Sequence, residues 1–203
     1  MQPLDPIFLI VVLVMSVVIH EVSHGYVADL LGDPTARLAG RLTLNPLKHL
    51  DWLGSVIVPL FLYLLPGGLM FGWAKPVPYN PYNLRAGRWG PAYVALAGPA
   101  SNLLIALIFG LSLRNGLLPG SAVSFVATLV LINLMLAMFN LIPIPPLDGS
   151  KVLFAVLPNS LNWLEEWWLR HQLFILIIFI WLISSTTLLE RLVFGLFRLV
   201  AVG

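Results

Sequence analysis

The sequence predicts an all-α polytopic membrane protein with about four transmembrane helices, a short re-entrant apolar segment, small β or extended elements and interfacial helices. Two observations carry this fold class. The chain of 203 residues is 59% hydrophobic and only 10% charged, with a mean hydropathy of +0.93. A soluble domain carries about 25% charged residues, so most of this surface must face lipid. Several apolar runs also approach the roughly 20 residues that a bilayer crossing needs.

The elements follow in order. Pro6 suits a helix start, and a first helix runs from about Ile7 through His24, extends over Tyr26 to Leu31, and stops at Gly32-Asp33-Pro34. Met1 to Asp5 lacks the basic region of a secretory signal peptide, so this apolar run reads as a retained helix. Ala36 to Asp51 reads as a polar loop, with strand-like pieces around Arg37–Thr43 and a turn at Asn45-Pro46. Leu53–Leu65 is apolar but short and holds Pro59, which points to a re-entrant or interfacial segment. Phe71 to Arg88, rich in Pro, Asn, Trp and Tyr, should be extended.

Three spans follow, at Trp89–Leu113, Ala122–Ile142 and Leu173–Leu189. Leu161–Arg170 reads as an interfacial helix carrying Trp163, Trp167 and Trp168, and Leu188–Val202 lies along the membrane or continues into it. Neither a repeat nor a low-complexity linker divides the chain. It is expected to be one domain, residues 1–203, with a core over about 7–160 and C-terminal helices over about 161–203.

A formal charge of +2 spread over loop residues does not suggest nucleic-acid binding. The absence of cysteine excludes disulfides, cysteine-bound zinc and thiol catalysis.

Chemistry concentrates at the end of the first helix, in His20-Glu21-Val22-Ser23-His24. Two histidines four apart share a helix face, so both imidazoles can grip one metal ion. The glutamate between them is then placed to act on an activated water. One ionisable residue at a membrane edge is often an interfacial group or a helix–helix hydrogen bond. Three at this spacing point to function.

A catalytic zinc usually takes three protein ligands. His49 and His171 are candidates for the third, but both also suit ordinary interfacial positions. Asp148 is the stronger candidate, because Pro143, Pro145 and Pro146 unwind the chain just before it at a membrane edge. Its plainer reading is a turn aspartate before Gly149.

Topology offers a separate test. For Asp148 to meet His20 and His24, residues 66–88 must lie on the same side as residues 25–52. Arg37, Arg41, Lys48, Lys75, Arg85, Arg88, Lys151 and Arg170 then share one face, and the positive-inside rule makes it cytoplasmic. The expected location is the inner cell membrane, multi-pass, with the site near the cytoplasmic side.

Together, His20-Glu21-x-x-His24, Gly98-Pro99-x-x-Asn102 and Asn140-x-x-Pro143-x-x-Pro146-Leu147-Asp148-Gly149 resemble the signatures of site-2 proteases, the zinc intramembrane metalloproteases. Phe71-Gly72-Trp73-Ala74-Lys75-Pro76-Val77-Pro78 and Asn45-Pro46-Leu47-Lys48-His49 are similar to stretches of the short bacterial members. The resemblance implies that His20, His24 and Asp148 hold one zinc ion and that Glu21 is the general base. It implies that Asn102 and Asn140 line the site or hold an extended substrate. No inserted PDZ-like domain and no CBS-like tail is evident.

The expected activity is zinc-dependent hydrolysis of a peptide bond in or near the transmembrane segment of a membrane-protein substrate. The competing reading is a polytopic transporter or binding protein for a divalent metal, which would not need Glu21. Glu165, Glu166, Glu190, Asp29 and Asp33 read as solvated or turn charges, and Asn133 as a helix–helix contact.

Overall fold

The computed structural model describes residues 6–58 and 74–202. Among them the regular elements are helical: α1 (Pro6–Leu30), α2 (Thr35–Leu38), α3 (Gly90–Arg114), α4 (Gly120–Asn140), α5 (Asp148–Val156), α6 (Asn162–Arg170), α7 (Gln172–Ser184) and α8 (Leu188–Phe197). The chain is an all-α polytopic membrane protein.

The helices α1, α3 and α4 are each long and apolar enough to cross a bilayer. The fourth expected span differs from a straight helix. Its 13 residues in α7 rise only about 20 Å, short of a hydrocarbon core of about 30 Å. It is preceded by α6, which bends away from it by 78°. Trp163 and Trp167 on α6 are exposed, as an interfacial helix requires.

Along α1, Ile7, Ile10, Val11 and Leu13 are exposed, while Val12, Ser16, Val18, His20, Val22 and His24 face inward. The helix α3 packs against α1, α4 and α5. Ala92, Ala95 and Ala106 of α3 are fully buried, and such small residues let helix backbones approach closely in lipid. Ala106, Val130, Leu134 and Val193 form a core in which α8 covers α3 and α4. At the far end of α3, Arg114 Nη1 donates to the Leu199 carbonyl at 3.2 Å and ties the last turn, Arg198–Val202, to that side.

The opposite end is organised by Asp33, which is fully buried. Its carboxylate accepts from the Asn80 backbone N–H at 2.6 Å, Asn83 Nδ2 at 2.8 Å and the Thr35 hydroxyl at 2.6 Å. Arg85 N–H donates to the Leu31 carbonyl, and Lys75 N–H to that of His49, both at 2.9 Å. Residues 74–85 are thereby bound to the end of α1. Of residues 66–88, expected on the side of residues 25–52, the described stretch from 74 onward is tied to that region by these bonds, and the rest lies outside the described residues.

Two local expectations change. The strand-like reading of Arg37–Thr43 gives way to the short helix α2, and no strand occurs among the described residues. Asp33 Oδ1 accepts from the Thr35 backbone N–H, and Ala36 is fully buried, close beneath Gly25 of α1. This anchoring outweighs the local strand signal of alternating residues. Of Phe71–Arg88, expected to be extended, residues 74–80 form no regular element, while Pro81–Asn83 and Gly87–Trp89 are single tight helical turns, the first capped by the Asn80 side chain accepting from Tyr82 N–H. Of the apolar segment 53–65, residues up to 58 lie in or next to the single wide turn Trp52–Ile57, whose N-terminus is capped by Asp51 Oδ1 accepting from Gly54 N–H at 2.8 Å. The rest of that segment, with its re-entrant reading, lies outside the described residues.

Candidate active site and metal centre

The site is built by three elements. The helix α1 supplies His20 and His24 one turn apart, with ring centroids 4.7 Å from each other. The helix α3 passes behind them. Residues 141–147 leave α4 as a run of tight turns, and Asp148 is the first residue of α5. A carboxylate in a first helical turn is favoured by the unpaired N–H groups there. Gly149 is required by a close approach, since a Cβ would strike the Leu141 carbonyl oxygen.

Asp148 Oδ2 lies 3.1 Å from His20 Nε2 and 3.1 Å from His24 Nε2. All three residues are buried. The other ring nitrogens are engaged behind: His20 Nδ1 lies 2.6 Å from Asn102 Oδ1, and His24 Nδ1 lies 2.7 Å from the Val94 carbonyl. Both partners accept only, so each Nδ1 carries the proton and donates. In a neutral imidazole, each Nε2 then presents a lone pair toward the carboxylate. Three acceptor atoms turned toward one another form a site that a cation would satisfy.

Zinc fits this donor set. Ligand bonds of about 2.0–2.2 Å in a tetrahedron put ligand atoms roughly 3.3 Å apart, close to the spacing seen. Donation from each ligating histidine to a backbone or side-chain oxygen is the arrangement that orients such ligands. Gly98 keeps the space clear, because a Cβ there would stand 2.5 Å from both Nε2 atoms.

Glu21 stands beside the triad. Its ligand oxygen and the nitrogens of His20 and His24 all lie within 4.8 Å of one another, and Glu21 Oε2 accepts from the Val77 backbone N–H at 2.9 Å. Two carboxylates therefore stand near both imidazoles: Glu21 on the same helix, and Asp148 at 3.1 Å from each Nε2. Lys151 Nζ donates to Asp148 Oδ1 at 3.1 Å, so the two oxygens of this carboxylate are divided between the ammonium and the imidazoles. Lys151 also lines an open cleft of about 840 Å³, together with Tyr79, Arg88, Pro146, Ser150 and Phe154 among others.

Residues 114–179, which contain Asp148, match the family model described as peptidase family M50. A Bacillus subtilis (strain 168) protein named "Putative zinc metalloprotease YwhC" is 37% identical over 165 residues, covering 76% of this chain and 71% of that protein. The chain belongs to peptidase family M50, the site-2 zinc metalloproteases. Rip2 of Mycolicibacterium smegmatis (strain ATCC 700084 / mc(2)155), also named as a zinc metalloprotease, is 36% identical over 142 residues, covering 68% of this chain and 53% of Rip2. The chain thus spans about half the length of that relative. The zinc metalloprotease MJ0392 of Methanocaldococcus jannaschii is 27% identical over 158 residues, 78% of this chain and 37% of that protein. No solved structure matches.

Within this family frame, the other candidates fall in different places. His49 is buried, and its Nε2 donates to the Thr43 carbonyl at 2.9 Å. His171 bonds the Trp167 carbonyl through Nδ1 at 2.8 Å. Both use a ring nitrogen on neighbouring backbone, away from the His20–His24 pair. Asn102 is fully buried behind His20 and does not line the open cleft. Asn140, half-buried at the end of α4, donates through Nδ2 to the Leu136 carbonyl at 2.9 Å. Sequence reasoning missed Lys151 and the Val77 amide. The signal for Lys151 was its place one helical turn after Asp148, where side chains meet. The Val77 amide had none, because its N–H reaches Glu21 across 56 positions.

Proposed function

We propose that this chain is a zinc-dependent intramembrane endopeptidase, with His20, His24 and Asp148 as metal ligands and Glu21 as general base. The observation that carries the reading is the equal 3.1 Å approach of Asp148 Oδ2 to both Nε2 atoms. Membership in a zinc metallopeptidase family supports it.

Bound zinc would supply Lewis-acid activation of the attacking water and of the scissile carbonyl. Glu21 accepts a proton from that water as its oxygen bonds the carbonyl carbon, and returns the proton to the amine nitrogen as the C–N bond breaks. The Val77 N–H fixes the carboxylate's orientation for both transfers. The Nδ1 bonds to Asn102 and Val94 hold the two imidazoles in place throughout.

A helical substrate hides its carbonyls in its own hydrogen bonds and must unwind before cleavage. The irregular stretch 74–80 meets Glu21 through the Val77 N–H, and its backbone would receive such a segment by strand addition. Arg88 and Lys151 in the adjoining cleft, with Lys75 and Arg85 on the same end, mark this face as cytoplasmic by the positive-inside rule. Arg114 sits at the other end of α3.

The test compares membrane-protein fragments from cells carrying the native chain and the Glu21→Gln form. Fragments that end within membrane segments should vanish in the variant while zinc remains bound. Equal fragments in both would overturn the protease reading and favour a metal-binding or transport role.

A further inference from the structure

Behind His20, the bond to Asn102 continues into a buried chain of polar groups that the proposed mechanism does not use. Asn102, whose Oδ1 accepts from His20 Nδ1, donates through Nδ2 to Asn133 Oδ1 at 2.7 Å and to the Ser16 carbonyl at 3.3 Å. Asn133 in turn donates through Nδ2 to the Leu129 carbonyl at 2.9 Å and to the Ser16 hydroxyl at 3.0 Å. Asn102 and Asn133 are both fully buried, and Ser16 nearly so.

The order of donors and acceptors leaves no freedom. A carbonyl only accepts, so the Leu129 carbonyl forces Asn133 to turn its Nδ2 that way and its Oδ1 toward Asn102. That oxygen then draws Asn102 Nδ2, which presents Asn102 Oδ1 to His20. A flipped Asn102 would aim N–H at the protonated Nδ1 and turn the imidazole away from its partner ligands.

We infer that Asn133 is a positioning residue for the metal centre, acting through Asn102 to fix the ring of His20. The inference rests on the zinc reading above and deepens it, because it makes α4 a supporting element of a site whose ligands lie on α1 and α5. In lipid, an asparagine between helices also contributes to association, so a purely structural role must be told apart.

Zinc affinity of the purified full chain in detergent, measured by competition with a chromophoric chelator, separates the two. Outer partners of metal ligands typically affect affinity by about 10–100-fold, and Asn133→Leu should weaken zinc binding about tenfold or more. Leu134→Ala, which removes packing from the neighbouring core position, should lower the melting temperature and leave zinc affinity unchanged. If Asn133→Leu does not fold, Asn133→Ser retains polarity without the reach to Asn102 and should show the same loss.

Native affinity in Asn133→Leu or Asn133→Ser would overturn the inference. So would equal weakening by Leu134→Ala. A native chain that binds no zinc would instead overturn the metal reading itself, and this relay with it.

Discussion

His20 and Asp148 stand 128 positions apart in the chain, yet Nε2 of one lies 3.1 Å from Oδ2 of the other. The contact is made by a helix that brings the histidine to the membrane edge and by a proline run that ends another helix at the same depth. Each side chain alone would be an expensive buried polar group. Together with His24 they form a donor set whose cost a bound cation would offset.

Gly98 gives the sharpest steric prediction. Gly98→Ala places a methyl group 2.5 Å from both Nε2 atoms, where the ion belongs. Zinc affinity should fall at least about 100-fold, on the scale of losing ligand orientation altogether. Alanine favours a helix interior by up to about 1 kcal/mol over glycine, so α3 itself should not be weakened. Equilibrium zinc titration alongside far-UV circular dichroism reads both quantities.

For Glu21, the expected effect separates binding from chemistry. Glu21→Gln keeps the hydrogen bond from Val77 and removes the proton acceptor. Peptide cleavage should drop by roughly 10²–10⁴-fold, the usual contribution of general acid–base catalysis, with zinc content unchanged. Single-turnover cleavage of a membrane-embedded peptide and elemental analysis of the same sample provide the check.

Asp33 sets a pH dependence of folding. Burial pushes its carboxyl up, but hydrogen bonds from Thr35, Asn83 and the Asn80 backbone outweigh burial and hold it below the ordinary carboxylate range. A carboxylate with a depressed folded value stabilises the fold above its unfolded value of about 4. That stabilisation is lost as pH falls through the lower folded value. Melting temperature should therefore decline more steeply between about pH 5 and pH 3 in the native chain than in Asp33→Asn. The variant should also start lower at neutral pH, by about 1–3 kcal/mol, because it loses buried charge-assisted bonds.

These predictions draw on features that were unequally visible in the sequence. The spans α1, α3 and α4 were legible because uninterrupted apolar runs have one physical outcome in lipid. The His20–His24 pair was legible because helical periodicity puts the two rings on one face. Asp148 emerged from its prolines, which forbid a helix and force the chain to turn where a cavity must receive it. The break between α6 and α7 was legible too, because three tryptophans and charged residues over Leu161–Arg170 separate an interfacial helix from the apolar run beginning at Leu173. The helix at Thr35–Leu38 was hidden, because its anchoring depends on Asp33, which Asn80 and Asn83 help to hold from far along the chain. Asn102 was visible as a polar residue in a span. Whether such an amide meets substrate, another helix or a ligand's far nitrogen depends on distances no local pattern encodes.

The central claim is that His20, His24 and Asp148 share one zinc ion, and X-ray absorption at the zinc edge tests it most directly. The native chain should hold one zinc with two imidazoles and oxygen donors at about 2.0–2.2 Å, and Asp148→Asn should lose the metal or visibly change that shell. A native chain without zinc, or a coordination shell identical in Asp148→Asn, would contradict the account.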